Sequence, residues 1–197
     1  MPSELLMEPL RFPSNKMSVR LRAFKLIQSL SFFRGEFILA SGKKSNFYLD
    51  LKPTMFNPEG ANLLSQLVLE RIRDLKVDYI GGLEMGAVPL VTAVSMLSFQ
   101  DGKPIPGLFV RKEIKQHGTK KRIEAADNLQ NKNVVILDDV TTTGGSAMQA
   151  VDEVRRAGAN VVLVLSILDR CEGATEFYKE AGVPFDCLFN VKEFLEA

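Results

Sequence analysis

Asp138 and Asp139 stand side by side after four apolar residues, Val134 to Leu137, and before Val140 and the run Thr141-Thr142-Thr143-Gly144-Gly145-Ser146. Ionised carboxylates only accept hydrogen bonds, so they suit sugar hydroxyls and repel phosphate. The run that follows is of the opposite kind. It offers successive backbone N–H groups, hydroxyls and two residues without bulk, ahead of a helical pattern. A loop of this composition can wrap an anion, and a helix N-terminus adds favourable potential for a phosphate. Acid pair and anion loop in one string therefore point to a phosphorylated sugar. The plainer alternative is that one aspartate caps the next helix and the other is merely exposed.

A second constellation lies between residues 111 and 122, Arg-Lys-Glu-Ile-Lys-Gln-His-Gly-Thr-Lys-Lys-Arg. It sets Arg111, Lys112, Lys115, Lys120, Lys121 and Arg122 against the single acid Glu113, and holds His117, the only histidine of the chain. Such runs are usually solvated loops. This one concentrates charge in a nearly neutral chain, and Gly118 gives it backbone freedom, so it could close over a pyrophosphate and exclude water. Arg170 carries a third possibility, because a guanidinium pairs bidentately with a planar anion; the alternative is a surface pair with Asp169. Phe47 and Tyr48 offer rings that could stack on a flat base, or are ordinary strand residues. Other phosphate motifs fit poorly. Ser41-Gly42-Lys43-Lys44-Ser45 is mis-spaced for a P-loop, residues 81–86 are not a dinucleotide fingerprint, and residues 144–148 lack the last glycine of a nucleophile elbow.

The elements that must position these residues can be read from periodicity. Residues 18–33 place Ala23, Phe24, Ile27 and Leu30 on one helical face. Residues 36–40 and 46–51 predict a hairpin. Asn57-Pro58-Glu59-Gly60 predicts a helix start whose apolar face runs from Leu63 to Leu75. Strands and helices then alternate: strand 77–82, helix 87–99, strand 105–110, strand 133–137, helix 145–157, strand 160–168, helix 174–181 and strand 185–189. Alternation of this kind implies an α/β fold with a mostly parallel central sheet flanked by helices. The hairpin would form a small N-terminal hood, mainly residues 18–52, beside a single domain spanning 18–197. Residues 1–17 read as an arm. In an open parallel sheet ligands bind at the carboxyl ends of the strands, where the acid pair falls.

The 197 residues carry a formal net charge of +1, with 46% apolar and 25% charged residues. No global field points to nucleic acid or an anionic membrane. The longest uncharged run, Met85 to Gln100, is too short to span a bilayer and is interrupted by Pro89 and Ser95. No signal peptide is evident. Cys171 and Cys187 have no metal spacing and read as reduced thiols of a cytoplasmic protein.

Residues 134–147 resemble the ribose-phosphate motif of type I phosphoribosyltransferases. There the acids hold the ribose 2- and 3-hydroxyls of phosphoribosyl pyrophosphate (PRPP) and the loop from Val140 to Ser146 holds its 5-phosphate. Residues 111–118 resemble the catalytic loop of the orotate phosphoribosyltransferases, matching at Arg111, Lys112, Lys115, His117 and Gly118. That resemblance implies Lys115, His117 and Arg111 as catalytic residues with Asp138 and Asp139, and a homodimer whose loop reaches the neighbouring site. Residues 37–50 are similar to the family's orotate-binding region at Ser41, Gly42, Ser45 and Tyr48; Ala40 departs from a common lysine, which Lys43 or Lys44 would replace. Leu168-Asp169-Arg170-Cys171-Glu172-Gly173 resembles a further family string, which implies that Arg170 and Thr142 contact orotate. Residues 82–89 resemble the pyrophosphate loop, with Glu84 and Met85 at PRPP; Met85 stands where some relatives have lysine, leaving backbone N–H groups. The implied fold is type I phosphoribosyltransferase-like. The implied reaction moves ribose 5-phosphate from PRPP to orotate, with Mg²⁺ carried by the substrate. Three rival readings stand beside it: a phosphoribosyltransferase for another base, a non-catalytic PRPP sensor, and a dinucleotide-binding domain.

Overall fold

A computed structural model describes residues 17–38, 42, 44–113 and 121–197. Helix α1 (Val19–Leu30) opens where the Ser18 hydroxyl accepts from the Leu21 N–H at 3.2 Å. Strands β1 (Phe32–Ile38) and β2 (Lys44–Leu49) form an antiparallel hairpin. Helices α2 (Lys52–Phe56) and α3 (Pro58–Ile72) follow, the latter capped by Asn57, whose side chain accepts from Gly60 at 3.0 Å. Then come β3 (Tyr79–Gly81), α4 (Val88–Gln100), β4 (Phe109–Val110), β5 (Ile123–Glu124), β6 (Asn133–Thr141), α5 (Gly145–Arg156), β7 (Asn160–Asp169), α6 (Ala174–Glu180), β8 (Phe185–Asn190) and α7 (Val191–Glu196).

The central sheet runs β3-β6-β7-β8, every pair parallel. Residues 106–110 extend it beyond β3. Ile80 N–H donates to Pro106 O, Leu108 N–H to Ile80 O and Val110 N–H to Gly82 O, at 2.9–3.1 Å. Helices cover both faces. Val135, Leu137, Leu165 and Ile167 are buried against α1, α3 and α4. Val134, Ile136 and Val164 are buried against α5 and α6. This is the two-faced burial that turns parallel strands into near-continuous apolar runs.

Several boundaries differ from the sequence reading. Helix α1 stops at Leu30, because Phe32 and Phe33 enter the hairpin opposite Leu49 and Tyr48. Helix α3 ends at Ile72, and Leu75 is exposed rather than part of its apolar face. Strand β6 runs four residues past Leu137, held by register with β7 from Asp138↔Ser166 to Thr141↔Asp169. Three short elements had no periodic signal. They are α2, β5 and α7, and the last is fixed by a capping box between Asn190 and Glu193.

Helix α7 ties the hood to the sheet. Phe194 is fully buried, with its ring 4.3 Å from Phe24, 5.6 Å from Phe32 and 6.0 Å from Phe189. Arg34 of β1 also donates to the carbonyls of Phe194 and Leu195, both at 3.0 Å. Phe194→Ala is expected to cost about 3–5 kcal/mol in urea unfolding, the range for emptying a buried aromatic site. A loss under about 1 kcal/mol would show that α7 lies outside the cooperative unit.

Candidate active site

Residue alternation along β6 splits the acid pair. Val134 and Ile136 face α5, and Asp138 continues that face; Val135 and Leu137 face α4, and Asp139 continues the other. Asp138 is 8% exposed, and its carboxylate accepts from the Thr141 hydroxyl at 2.8 Å. Asp139 is half-buried, accepts from the Val140 N–H at 2.9 Å, and abuts Gly86. A Cβ on Gly86 would lie 2.8 Å from Asp139 Oδ1, so only glycine lets the 83–86 loop approach this carboxylate. The two acids line a cavity of about 280 Å³ with Val140, Ser146, Leu83, Glu84, Met85, Gly86, Lys112 and Lys52. A larger groove of about 600 Å³ runs along α4 past Met96 and Phe109; its one acid, Glu124, pairs with Arg111. Chemistry, not volume, selects the smaller cavity.

The loop after the acids is shaped for close approach. Thr141 is buried, Thr142 half-buried, and Thr143, Gly145 and Ser146 are exposed. Gly144 caps α5 with φ +91°, a left-handed conformation. A Cβ there would sit 2.7 Å from Phe177 Cδ1 and 3.0 Å from the Tyr178 ring. Tyr178 donates its hydroxyl to Gly144 O at 2.8 Å, fixing the turn from beneath. No side chain caps α5, so its first N–H groups face the loop.

Burial pushes the Asp138 carboxyl up to about 6. The Thr141 hydroxyl pulls the other way, and the charge of Asp139 adds to the rise. Lys52 has the reverse setting. Its ammonium is held above its usual range, first by the hydrogen bond from Lys52 Nζ to Asp50 Oδ1 at 3.1 Å, with Asp139 contributing.

The basic segment leaves and rejoins the sheet at one point. Strands β4 and β5 pair antiparallel, and Arg111 N–H donates to Arg122 O at 2.8 Å. Its terminal arginines are anchored to acids. Arg111 donates to Glu124 at 2.9 and 3.1 Å, lies 3.7 Å from Glu84 Oε2 and stacks over Phe109. Arg122 pairs with Glu153 of α5 at 2.7 Å. Lys112 donates its N–H to Glu84 Oε1 at 3.0 Å while its side chain lines the acid cavity. The 83–86 loop therefore offers fewer N–H groups than its sequence suggests, since Glu84 N–H donates to Val110 O at 2.8 Å. Met85 is 68% exposed at the cavity rim. Lys115, His117, Gly118, Ser41 and Lys43 lie outside the described residues.

Arg170 follows β7 and donates its N–H to Thr141 O at 2.9 Å, which sets it beside the Thr141–Ser146 loop. Its side chain is 11% exposed, pairs with Glu172 at 2.8 Å rather than with Asp169, and stacks 5.0 Å from the Phe47 ring. Tyr48 does not meet it. Alternation turns Tyr48 to the other face of β2, against Phe37 and Phe33 at 5.6 and 6.5 Å. The aromatic partner of Arg170 is Phe47. Sequence reasoning passed over Lys52 and Gly86, whose only signals were a lysine just after the aromatic strand and a glycine after Met85.

A doubly wound sheet with an acid pair and an anion loop at its carboxyl edge is the arrangement of a phosphoribosyl transferase domain, and the model of that domain matches residues 56–194. The chain is 54% identical over 186 residues to an orotate phosphoribosyltransferase of Bradyrhizobium diazoefficiens, covering 93% of this chain and 100% of that one. It is 39% identical over 176 residues to an orotate phosphoribosyltransferase of Nostoc, covering 89% and 85%. Among solved structures, Mycobacterium tuberculosis orotate phosphoribosyltransferase in complex with PRPP superposes with a TM-score of 0.76 at 29% identity, covering 90% of this chain and 99% of that one. This chain belongs to the orotate phosphoribosyltransferase family.

The Asp138 environment has a thermodynamic consequence. Its folded-state carboxyl binds a proton more tightly than the unfolded one, so the stability this group contributes is greatest below its ordinary value of 3.8 and is lost as pH rises to about 6. Asp138→Asn removes that dependence. Without substrate, the variant is expected to gain stability over wild type between about pH 4 and pH 7.5, by up to about 3 kcal/mol. Paired urea titrations at the two pH values measure this. An unchanged difference would show that Asp138 is not desolvated.

Proposed function

We propose that this protein transfers ribose 5-phosphate from PRPP to orotate, giving orotidine 5-phosphate and pyrophosphate in pyrimidine biosynthesis. The observation that carries the reading is the single cavity in which Asp138 and Asp139 adjoin the Thr141–Ser146 loop, one residue of which is backbone-bonded to Arg170. In this reading the carboxylates accept from the ribose 2- and 3-hydroxyls. The loop N–H groups and hydroxyls of Val140 to Ser146 receive the 5-phosphate at the start of α5. Arg170, backed by Phe47, presents its planar guanidinium to the orotate carboxylate, with Thr142 alongside.

A ring nitrogen of orotate, giving up its N–H proton to water, forms the new bond to the anomeric carbon as the carbon–oxygen bond to pyrophosphate breaks, and the bonding pair leaves with pyrophosphate. The reacting carbon passes through an oxocarbenium-like state. The acid pair holds the ring in line with the incoming nitrogen. Arg111, Lys112, Lys115 and His117 stabilise the charge growing on the leaving group; His117 acts there as a hydrogen-bond or proton donor. No protein nucleophile is required.

The donor set suits a metal that arrives with its substrate. Among the described residues no group of three or more His, Cys, Asp or Glu side chains converges as a metal cage. Mg²⁺ held by PRPP oxygens and water would supply further neutralisation of the leaving charge. We also propose a homodimer. Met96 and Phe99, three residues apart on α4, are 60% and 73% exposed and give an apolar strip suited to a second copy. Two free thiols, Cys171 and Cys187, accord with a cytoplasmic enzyme. Among the described residues no helix is long and apolar enough to cross a membrane.

Orotate absorbance is expected to fall only when PRPP and Mg²⁺ are both present, with uracil and hypoxanthine inert. Turnover of hypoxanthine in preference to orotate would overturn the base assignment. Lys115→Ala is expected to lower kcat by roughly 100-fold or more while the KM for orotate changes about twofold or less, as for loss of a leaving-group contact. Near-wild-type turnover would remove Lys115 from the reaction.

A further inference from the structure

One cation in the acid cavity is left without a role by this account. Lys52 is the first residue of α2, on the hood side, and it lines the cavity together with Asp138, Asp139 and Lys112. Its position is built. A single oxygen, Asp50 Oδ1, accepts from both Lys52 N–H at 3.0 Å and Lys52 Nζ at 3.1 Å. Asp50 is itself fixed by donating its N–H to Ser31 O at 3.0 Å, and buried Ser31 is bonded through its hydroxyl to Thr54 of α2 at 2.7 Å. The side chain of Lys52 nevertheless stays 55% exposed. As an exposed ion pair with Asp50 it adds little to the stability of the fold. An ammonium has three donors, and Asp50 engages one.

We propose that Lys52 binds the diphosphate of PRPP and the departing pyrophosphate, supplying from the hood the positive charge that the 83–86 loop lacks. The inference rests on the reading of the cavity as a PRPP site. Ser146 lies in the first turn of α5 on one side of the acid pair, where the 5-phosphate belongs; the diphosphate is carried by C1, across the ring oxygen from the C4 that bears the 5-phosphate arm. The residues lining the rest of the cavity include Glu84, which is negative, and Met85, which is neutral. Among the described residues Lys112 and Lys52 are the cations that line it. Lys112 belongs to the basic segment, whereas Lys52 belongs to the framework and is positioned before any substrate arrives. The charge of Asp139 reaches Lys52 as well and, with the Asp50 hydrogen bond, holds the ammonium protonated throughout the neutral range. Asp50 acts through Lys52 and is a positioning residue.

The test uses the full-length enzyme with Lys52→Met, which keeps the stem and removes the charge, and Lys52→Arg, which keeps the charge. Loss of one charge-assisted contact to phosphate predicts a fall of roughly 10- to 100-fold in kcat/KM for PRPP in the methionine variant. The inhibition constant of pyrophosphate should rise by a similar factor. The KM for orotate should stay within about twofold, the urea midpoint should not move, and the arginine variant should recover most of the loss. Wild-type pyrophosphate inhibition in Lys52→Met would overturn the proposal. So would a loss matched by a lowered urea midpoint and not rescued by arginine, since that marks a structural role. Should the wild-type enzyme itself fail to turn over PRPP with orotate, the functional reading falls. Calorimetric pyrophosphate binding to wild type and Lys52→Met would then still decide the role of Lys52.

Discussion

Asp138 is a carboxylate held almost out of water at the end of a parallel strand, and the surrounding architecture follows from making that tolerable. A buried charge is expensive, and here the compensation is partial: the Thr141 hydroxyl, the Asp139 backbone N–H and the charge of Lys112 favour the carboxylate, and the neighbouring charge of Asp139 opposes it. The strand must therefore be rigid enough to hold the group where relaxation would expose it. Its register with β7 from Asp138 to Thr141, the apolar layers on both sheet faces and the Tyr178–Gly144 bond do this together. In the proposed reaction, the sugar hydroxyls complete the solvation that folding removed. Preorganised acceptors of this kind need little rearrangement when substrate arrives.

The same edge has to accommodate opposite charges without collapsing onto itself. At the described ends of the basic segment Glu84 and Glu124 hold Arg111, and Glu153 holds Arg122. Both ends of the segment are thus paired with acids other than Asp138 and Asp139. Lys112 is left facing the cavity, drawn in by its backbone bond to Glu84. Glu84, a member of the proposed pyrophosphate loop, thereby also braces the root of the basic segment.

Much of this was legible because the decisive chemistry is local in sequence. An apolar strand, two acids and a glycine-turned loop occupy fourteen consecutive residues, and strand–helix alternation fixes which edge they reach. What escaped was set by distant contacts. Whether Phe47 or Tyr48 meets Arg170 depends on hairpin register, which has an irregularity between Arg34 and Phe37 and shows no signal in composition. Helices α2 and α7 are too short for periodicity and are specified by caps and by the aromatic cluster around Phe194. The end of β6 was placed early because Asp and Thr after Leu137 look like a loop; pairing with β7 keeps them extended.

The position of the hood follows from the same balance of charge. An acid floor attracts sugar hydroxyls but repels the phosphates at both ends of the same substrate. In the proposed reaction one end is met by backbone N–H groups at the start of α5, which bring potential without a side chain. In that reaction the other end lies against a loop carrying Glu84 and Met85, which bring no positive side chain, so its positive charge comes from the basic segment and from the hood. The hairpin and α2 stand where they can deliver Lys52 there, with Asp50 accepting from its ammonium. A substrate that is neutral in the middle and anionic at both ends thus matches a cavity that is anionic in the middle and electropositive at both ends. A phosphate-only ligand would meet the acids uncompensated, which argues for an intact phosphorylated sugar as the species this edge selects.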